Sequence, residues 1–399
     1  LSVFPNLTVA ENIAINQMLE NNQRTVSWKE MRAIAQKALD ELGEKIDLDE
    51  KVANLPMAKK QIVAISRAVT QNAKLIIMDE ATSSITKEEV KHLFSIILKL
   101  KERGVSTLFV SHKVGEVFEI SENITVFRDG KNAGTYPTSE LDNERLSAIM
   151  TGRTVKFEPY RIDVPAESLA PLLSVRNLSK AGHFKNISFD LHRGEILGVT
   201  GLLGSGRTEV AQALFGLNPA DSGKIELRGE SIDVNTPSDG IANGIALLPE
   251  DRAGEGLFLE QTINDNIIIT VLRSLLTPLG LIDRERRGDK ASNWIDRLQI
   301  KTPTGAAPVN SLSGGNQQRG VLAKWLATEP EVFILDGPTI GIDIGSKQTI
   351  HQIIRDLARN GMGIIMISDE VQEILDNCNR VLLMYGGEIV REIPDTGSV

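Results

Sequence analysis

Ser311-Leu312-Ser313-Gly314-Gly315-Asn316-Gln317-Gln318 leads directly into Arg319-Gly320-Val321-Leu322-Ala323-Lys324. Two adjacent glycines let a backbone approach a ligand closely, because no Cβ intervenes. Ser313 adds a hydroxyl, and the helix-forming residues behind it offer free N–H groups at a positive dipole end. Such a start suits a phosphate. Taken alone, it equally suits an ordinary serine-capped helix, so the surrounding chain has to separate the two readings.

Just downstream, Val332-Phe333-Ile334-Leu335-Asp336 is a short apolar run closing on a carboxylate. That is the pattern of a parallel strand buried on both faces, with its acid at the C-terminal end. Lys74-Leu75-Ile76-Ile77-Met78-Asp79-Glu80 repeats it, and Val105 to His112 reads as a second buried strand beside it. The two runs belong to an internal repeat. Leu55 and Leu312, Asp79 and Asp336, and Ser111 and Ser368 are each separated by 257 residues. Thr8-Val9-Ala10-Glu11-Asn12-Ile13 matches Thr262-Ile263-Asn264-Asp265-Asn266-Ile267 at an offset of 254. A period this long means a duplicated domain rather than a solenoid.

Between these strands lie helical patterns. Thr8 with Glu11, and Ser27 with Glu30, read as helix starts. Met31, Ile34, Ala35, Ala38, Leu39 and Leu42 follow at helical spacing, and Gly43 ends that helix. Residues 58–70 and 87–103 read as further helices, and Ile124 to Lys131 as a strand and tight turn. Alternating strands and helices define an α/β architecture, in which ligands bind beyond the carboxyl ends of the strands. Asp79, Glu80 and His112 are expected to converge there. Residues 1–151 form the first domain, the weakly periodic, Pro-containing segment 152–171 a linker, and residues 172–399 the second domain. On the repeat's register, counterparts of residues 172–254 are expected to precede Leu1, so the first domain is expected to be incomplete.

The 399 residues accommodate two domains of ordinary size. A net charge of −9 speaks against nucleic-acid binding. The single cysteine, Cys378, excludes a disulfide framework and fits a reducing cytosol. The most apolar stretch, Ile267 to Ile282, is interrupted by Arg273 and Pro278 and is too short to span a bilayer.

The chemistry concentrates in a few motifs. Gly201-Leu202-Leu203-Gly204-Ser205-Gly206-Arg207-Thr208-Glu209 fits the phosphate-binding loop G-x-x-x-x-G-K-[ST], with Arg207 replacing lysine. Its backbone N–H groups are placed to cradle phosphate, and Thr208 to ligate Mg²⁺. Arginine keeps the charge but has a planar fork, unlike the compact ammonium of lysine. Asp79 fits a Mg²⁺ carboxylate and Glu80 a general base for water. His112, at the neighbouring strand end, is placed to contact a γ-phosphate. In the second half Gly337 stands where Glu80 does, and Asp369 where His112 does. Glycine cannot act as a base and a carboxylate repels phosphate, so the second half's own hydrolytic set is broken.

Leu312-Ser313-Gly314-Gly315-Asn316-Gln317-Gln318, followed by Phe333-Ile334-Leu335-Asp336, resembles the signature motif and Walker B strand of an ABC-type ATPase. Gly201 to Glu209, with Pro249-Glu250-Asp251-Arg252, resembles the second half of the fused ATPase subunits of bacterial monosaccharide importers. The types in question are those for ribose, galactose, xylose and galactofuranose. The resemblance implies two tandem P-loop ATPase domains, each a mixed sheet flanked by helices plus a helical subdomain. It implies ATP and Mg²⁺, with the halves paired head to tail around two nucleotides.

One sandwich would combine Asp79, Glu80 and His112 with Ser313, Gly314, Gly315 and Gln317. The other would combine Gly201, Gly204, Ser205, Gly206, Arg207, Thr208, Glu209, Glu250 and Asp336 with Leu55 to Gln61, where Pro56 replaces the signature serine. One site is then catalytic and the other degenerate. The resemblance further implies transmembrane permease subunits meeting segments 4–13 and 257–267, and a periplasmic sugar-binding protein. The place of work is the cytoplasmic face of the inner membrane, peripherally, without nucleic acid. A soluble tandem cassette protein acting on ribosomes or nucleic acid predicts instead a basic helical linker and two intact signatures. A nucleotide-binding regulatory module without turnover is what the second half alone supports.

Overall fold

The computed structural model describes residues 3–20, 27–82, 85–111, 113–128, 130–152, 160 and 170–396. It divides into two units, Leu1–Thr154 and Val155–Val399. Of the segment read as a linker, 153–159 and 161–169 lie outside the described residues. Tyr160 within it is buried, and its hydroxyl donates to the Gly194 carbonyl at 2.8 Å.

The first unit begins with helices α1 (Val9–Glu20), α2 (Trp28–Leu42) and α3 (Met57–Thr70). Thr8 and Glu11 form a reciprocal cap, the Thr8 N–H donating to the Glu11 carboxylate at 2.7 Å and the Glu11 N–H to the Thr8 hydroxyl at 3.3 Å. Ser27 caps α2, and Gly43 closes it with the left-handed φ of 78° that suits glycine. Strand β1 (Leu75–Asp79), helix α4 (Lys87–Glu102) and strand β2 (Ser106–Val110) follow, β1 and β2 pairing in parallel. Helix α5 (Val114–Ile120), the antiparallel hairpin β3 (Asn123–Arg128) and β4 (Lys131–Pro137), and helix α6 (Asn143–Thr151) complete the unit.

The second unit opens on β5 (Pro171–Lys180), β6 (Phe184–His192), β7 (Ile196–Gly201) and α7 (Arg207–Phe215). Next come β8 (Ser222–Leu227), β9 (Glu230–Ile232), α8 (Pro237–Ala242) and β10 (Ile245–Leu248). A helical segment holds α9 (Ile263–Ile268), α10 (Arg284–Arg297) and α11 (Gly314–Leu326). The chain ends on β11 (Val332–Asp336), α12 (Ile344–Arg359), β12 (Gly363–Ile367), α13 (Val371–Asn377), β13 (Arg380–Tyr385) and β14 (Glu388–Ile393). The central sheet runs β10-β11-β12-β7-β13-β14, parallel except for β14. An antiparallel sheet, β6-β5-β8-β9, forms a separate layer.

Two apolar cores lie on opposite faces of the central sheet. Phe333, Leu335, Ile364 and Met366 pack with α11, α12 and α13. Val332, Ile334, Ile365 and Ile367 pack with α7 and the antiparallel layer. The strands are therefore continuous apolar runs, as parallel strands covered on both sides must be.

In the first unit that expectation fails. Ile76 and Met78 are buried against α3 and α4, but Leu75 and Ile77 are 54% and 64% exposed. Their counterparts, Val332 and Ile334, sit under α7 and the antiparallel sheet. Among the described residues of the first unit no such layer covers this face, so a sequence built for two-sided burial shows a one-sided pattern.

The repeat extends to side-chain detail. Asn12 accepts from the Phe4 N–H at 2.8 Å and donates to the Phe4 and Thr8 carbonyls. Asn266 does the same with Phe258 and Thr262. Both asparagines are buried, and each holds a loop that turns its phenylalanine outward, Phe4 at 50% and Phe258 at 58% exposure.

Candidate nucleotide site

Strand β7 ends at Gly201, where a Cβ would lie 2.2 Å from the Met384 carbonyl oxygen. The chain then turns through Gly204 and Gly206, at φ 75° and 95°, before entering α7. These glycines are required by geometry: at Gly206 a Cβ would also meet the His183 carbonyl at 2.9 Å. Among the described residues no side chain caps α7, and its first N–H groups suit an anion. Ser205 is 4% exposed, and among the described residues its hydroxyl has no hydrogen-bond partner. A buried, orphaned hydroxyl on a phosphate loop is accounted for by a ligand oxygen.

The loop walls a cavity of about 360 Å³, with Gly204 to Glu209, Glu250, Asp336, Gly337, Ser368 and Asp369 in its lining. A second cavity of about 430 Å³ shares Gly204 and is lined by Ser179 to Lys185, Gly386 and Gly387. Side by side, the two can take the phosphates and the base end of one nucleotide. The motifs give no sign of the second cavity, because its residues come from the β5–β6 turn and the β13–β14 turn.

Asp336 closes β11 on the cavity floor, with the Thr208 hydroxyl hydrogen-bonded to it. Burial pushes its carboxyl from 3.8 up to about 6; the Thr208 bond opposes this, Glu250 adds to it, Arg207 opposes it and Asp369 adds to it. The donor set of carboxylate and threonine hydroxyl suits Mg²⁺, a hard cation that takes oxygen ligands. A carboxyl held above its unfolded pKa favours the fold fully below 3.8 and loses that contribution as pH rises through 6. Asp336→Asn is therefore expected to stabilise the nucleotide-free chain by about 2 kcal/mol at pH 8, with no gain below pH 4. Urea unfolding at the two pH values measures this, and a gain independent of pH would contradict it.

Arg207, in the lysine position of the loop, is turned aside. It donates to the Ser368 carbonyl at 3.2 Å and pairs with the Asp369 carboxylate. The arginine in the loop's lysine position and the aspartate that stands where the first half has His112 are thus one ion pair. Spacing shows both residues and not the link between them, which joins positions 162 residues apart.

The signature residues lie elsewhere: Ser313, Gly314, Gly315 and Gln317 do not line the cavity. Ser313 sits at the N-cap position of α11 without a capping bond, and its hydroxyl accepts from the Asn316 amide at 3.0 Å. A Cβ on Gly315 would meet the Ser346 hydroxyl at 2.0 Å, so this glycine is needed for packing on the start of α12. Arg252, which the sequence reading left without a role, donates to the Ile340 and Gly341 carbonyls at 3.0 and 3.1 Å and to Gln317 at 3.4 Å. It fastens the segment after Glu250 to the loop after β11 and to α11.

In the first unit Asp79 closes β1, Glu80 follows it, and both are exposed. Glu80 adopts a left-handed φ of 47°, its N–H donating to the Val110 carbonyl at 2.9 Å. His112 lies outside the described residues. Each unit also carries a carboxylate from the helix after the second strand that accepts from a threonine just past the acid. Thr82 donates to Glu116 and Thr339 to Glu373, both at 2.5 Å.

A glycine loop between a parallel strand and a helix, facing a strand-end aspartate in a mixed sheet, defines a phosphate-loop ATPase of the ATP-binding cassette type. The chain belongs to the ABC transporter family, whose model matches residues 1–83 and 184–340. It is 40% identical to a Hahella chejuensis protein named as a ribose/galactose/methyl galactoside import ATP-binding protein, over 96% of this chain and 74% of that one. It is 42% identical to a Rhizobium etli protein of the same designation, over 98% and 75%. A ribose import ATP-binding protein of Geobacillus kaustophilus is 39% identical, over 100% and 80%. Among solved structures, a nucleotide-free ATP-binding cassette from an ABC transporter superposes with a TM-score of 0.51 at 21% identity, covering 57% of this chain and 92% of that one. That likeness is one of fold.

Proposed function

We propose that this chain is the ATPase subunit of an importer for a monosaccharide of the ribose or galactose kind. It works at the cytoplasmic membrane face with permease subunits and a periplasmic sugar-binding protein. The observation that carries the reading is the second-half cavity, where an uncapped helix start, an orphaned Ser205 hydroxyl and the Thr208–Asp336 pair face one another. Thr208 and Asp336 hold Mg²⁺, which when bound offsets the charge of the phosphates. The backbone N–H groups of the loop orient the phosphates, and Ser205 donates to them.

Without a glutamate at Gly337, the second half has no general base and serves to bind. In the first half Asp79 is the Mg²⁺ ligand and Glu80 the base that takes a proton from water, while His112 contacts the γ-phosphate. Ser313 to Gly315 present a hydroxyl and close backbone to the phosphates of a nucleotide carried by another cassette. Among the described residues no helix is long and apolar enough to cross a membrane.

Phe4 and Phe258, turned outward by buried asparagines, suit that contact, because exposed aromatics on a pinned loop lose little entropy on docking. Phe258→Ala is expected to weaken co-purification with the permease about tenfold. Undiminished recovery would remove Phe258 from the interface. The function itself is tested by deleting the gene and following ribose and galactose uptake. Loss of ATP-dependent uptake of one of them is expected, and unchanged uptake of both sugars contradicts the assignment.

A further inference from the structure

In the second unit three neighbouring strands each deliver a carboxylate to the cavity. Glu250 lies two residues past β10, Asp336 closes β11, and Asp369 lies two residues past β12. β12 pairs directly with β7, the strand that runs into the phosphate loop. The three acids therefore form a row across adjacent strand ends, opposite the start of α7, with Glu209 also in the lining. Among the described residues Arg207 is the one cation of that lining, and its guanidinium is already committed to the Ser368 carbonyl and the Asp369 carboxylate.

We propose that this cavity selects a nucleoside diphosphate over a triphosphate, and that the Arg207–Asp369 pair sets the preference. The inference rests on reading the cavity as a nucleotide site. Two phosphates are served by the N–H groups at the start of α7 and by the Ser205 hydroxyl. A third extends toward the carboxylate row and adds negative charge beside Asp369 and Glu250. The guanidinium that could offset it is held by Asp369. In the first half the position matching Asp369 is His112, a residue that can donate to phosphate, and Glu80 stands where Gly337 does. The two halves thus differ in the residues that would meet a terminal phosphate.

The Asp369 side chain is 59% exposed, so solvent screens it and the effect is moderate. Calorimetric titration of the whole chain with ADP, ATP and the non-hydrolysable triphosphate AMP-PNP, each with Mg²⁺ at pH 7.5, reads it directly. ADP is expected to bind about three- to fivefold more tightly than either triphosphate. Asp369→Asn and Asp369→His are each expected to shift the ratio toward the triphosphates by a similar factor. The repeat in EDTA, which removes Mg²⁺, is expected to weaken the triphosphates more than ADP. Triphosphates binding as tightly as ADP, or a ratio unmoved in both variants, would overturn the preference while leaving the nucleotide site standing. Failure of all three nucleotides to bind would overturn the site and the preference together.

Discussion

Gly206→Ala is expected to remove nucleotide binding from the second half, lowering affinity about a hundredfold or more. Gly206 sits at φ 95°, where a side chain is strained, and an added Cβ would lie 2.9 Å from the His183 carbonyl oxygen. Neither backbone can yield without moving the loop, because the Gly387 N–H donates to the Ser205 carbonyl at 3.1 Å. The start of α7 then shifts away from the phosphates. Losing two charge-assisted bonds of about 1.5 kcal/mol each accounts for a hundredfold. Calorimetry measures the affinity, and circular dichroism checks that the fold persists. Binding within threefold of the parent would show that the loop does not hold the ligand.

The second large effect lies behind the cavity. Glu373, on the first turn of α13, accepts from Thr339 at 2.5 Å and from Ser368, and is 3.1 Å from His351 Nε2. One carboxylate thereby ties the loop after β11, the end of β12 and α12 to α13. Burial alone would raise its pKa, but the His351 hydrogen bond and charge, with the two hydroxyls, bring it from 4.5 down to about 2. A depressed carboxyl contributes stability that is present above pH 4.5 and lost as pH falls toward 2. Glu373→Gln is expected to cost about 3 kcal/mol at pH 7, lowering the Tm of the second unit by about 6–12 °C. The deficit narrows as pH falls below 4.5. Urea unfolding from pH 7 to pH 3 follows it, and a deficit that is absent at pH 7 or constant with pH would contradict the network.

The parts of this molecule legible in sequence are those where one local rule dominates. The cap at Thr8 and the glycine stop at Gly43 are such cases, as is the two-sided strand Val332–Asp336. Leu75–Asp79 misleads for a physical reason: periodicity reports what a strand is built to bury, and a covering layer is needed for that burial to occur. At the site, the phosphate loop and Asp336 were legible because spacing alone places them. The Arg207–Asp369 pair and the hold of Arg252 on Ile340 and Gly341 were not, because they join positions 88 or more residues apart, and the Glu373 network was not, because it gathers side chains from four separate segments. The Glu373 contact has a sequence shadow, since Thr82 and Glu116 repeat Thr339 and Glu373 at the offset of 257. The pattern of the signature glycines implies room for a ligand, and Gly315 also makes room for Ser346.

The central claim is that one nucleotide lies with its phosphates at Gly204–Thr208 and its base end toward Ser179–Lys185. Photolabelling with 8-azido-ADP and Mg²⁺, followed by peptide mapping, tests that placement most directly. The label is expected on the peptide containing Lys180 to Lys185 or on that containing Gly386 and Gly387, and to be suppressed by excess ADP and by Gly206→Ala. Label confined to other peptides, or insensitive to both, would contradict the placement.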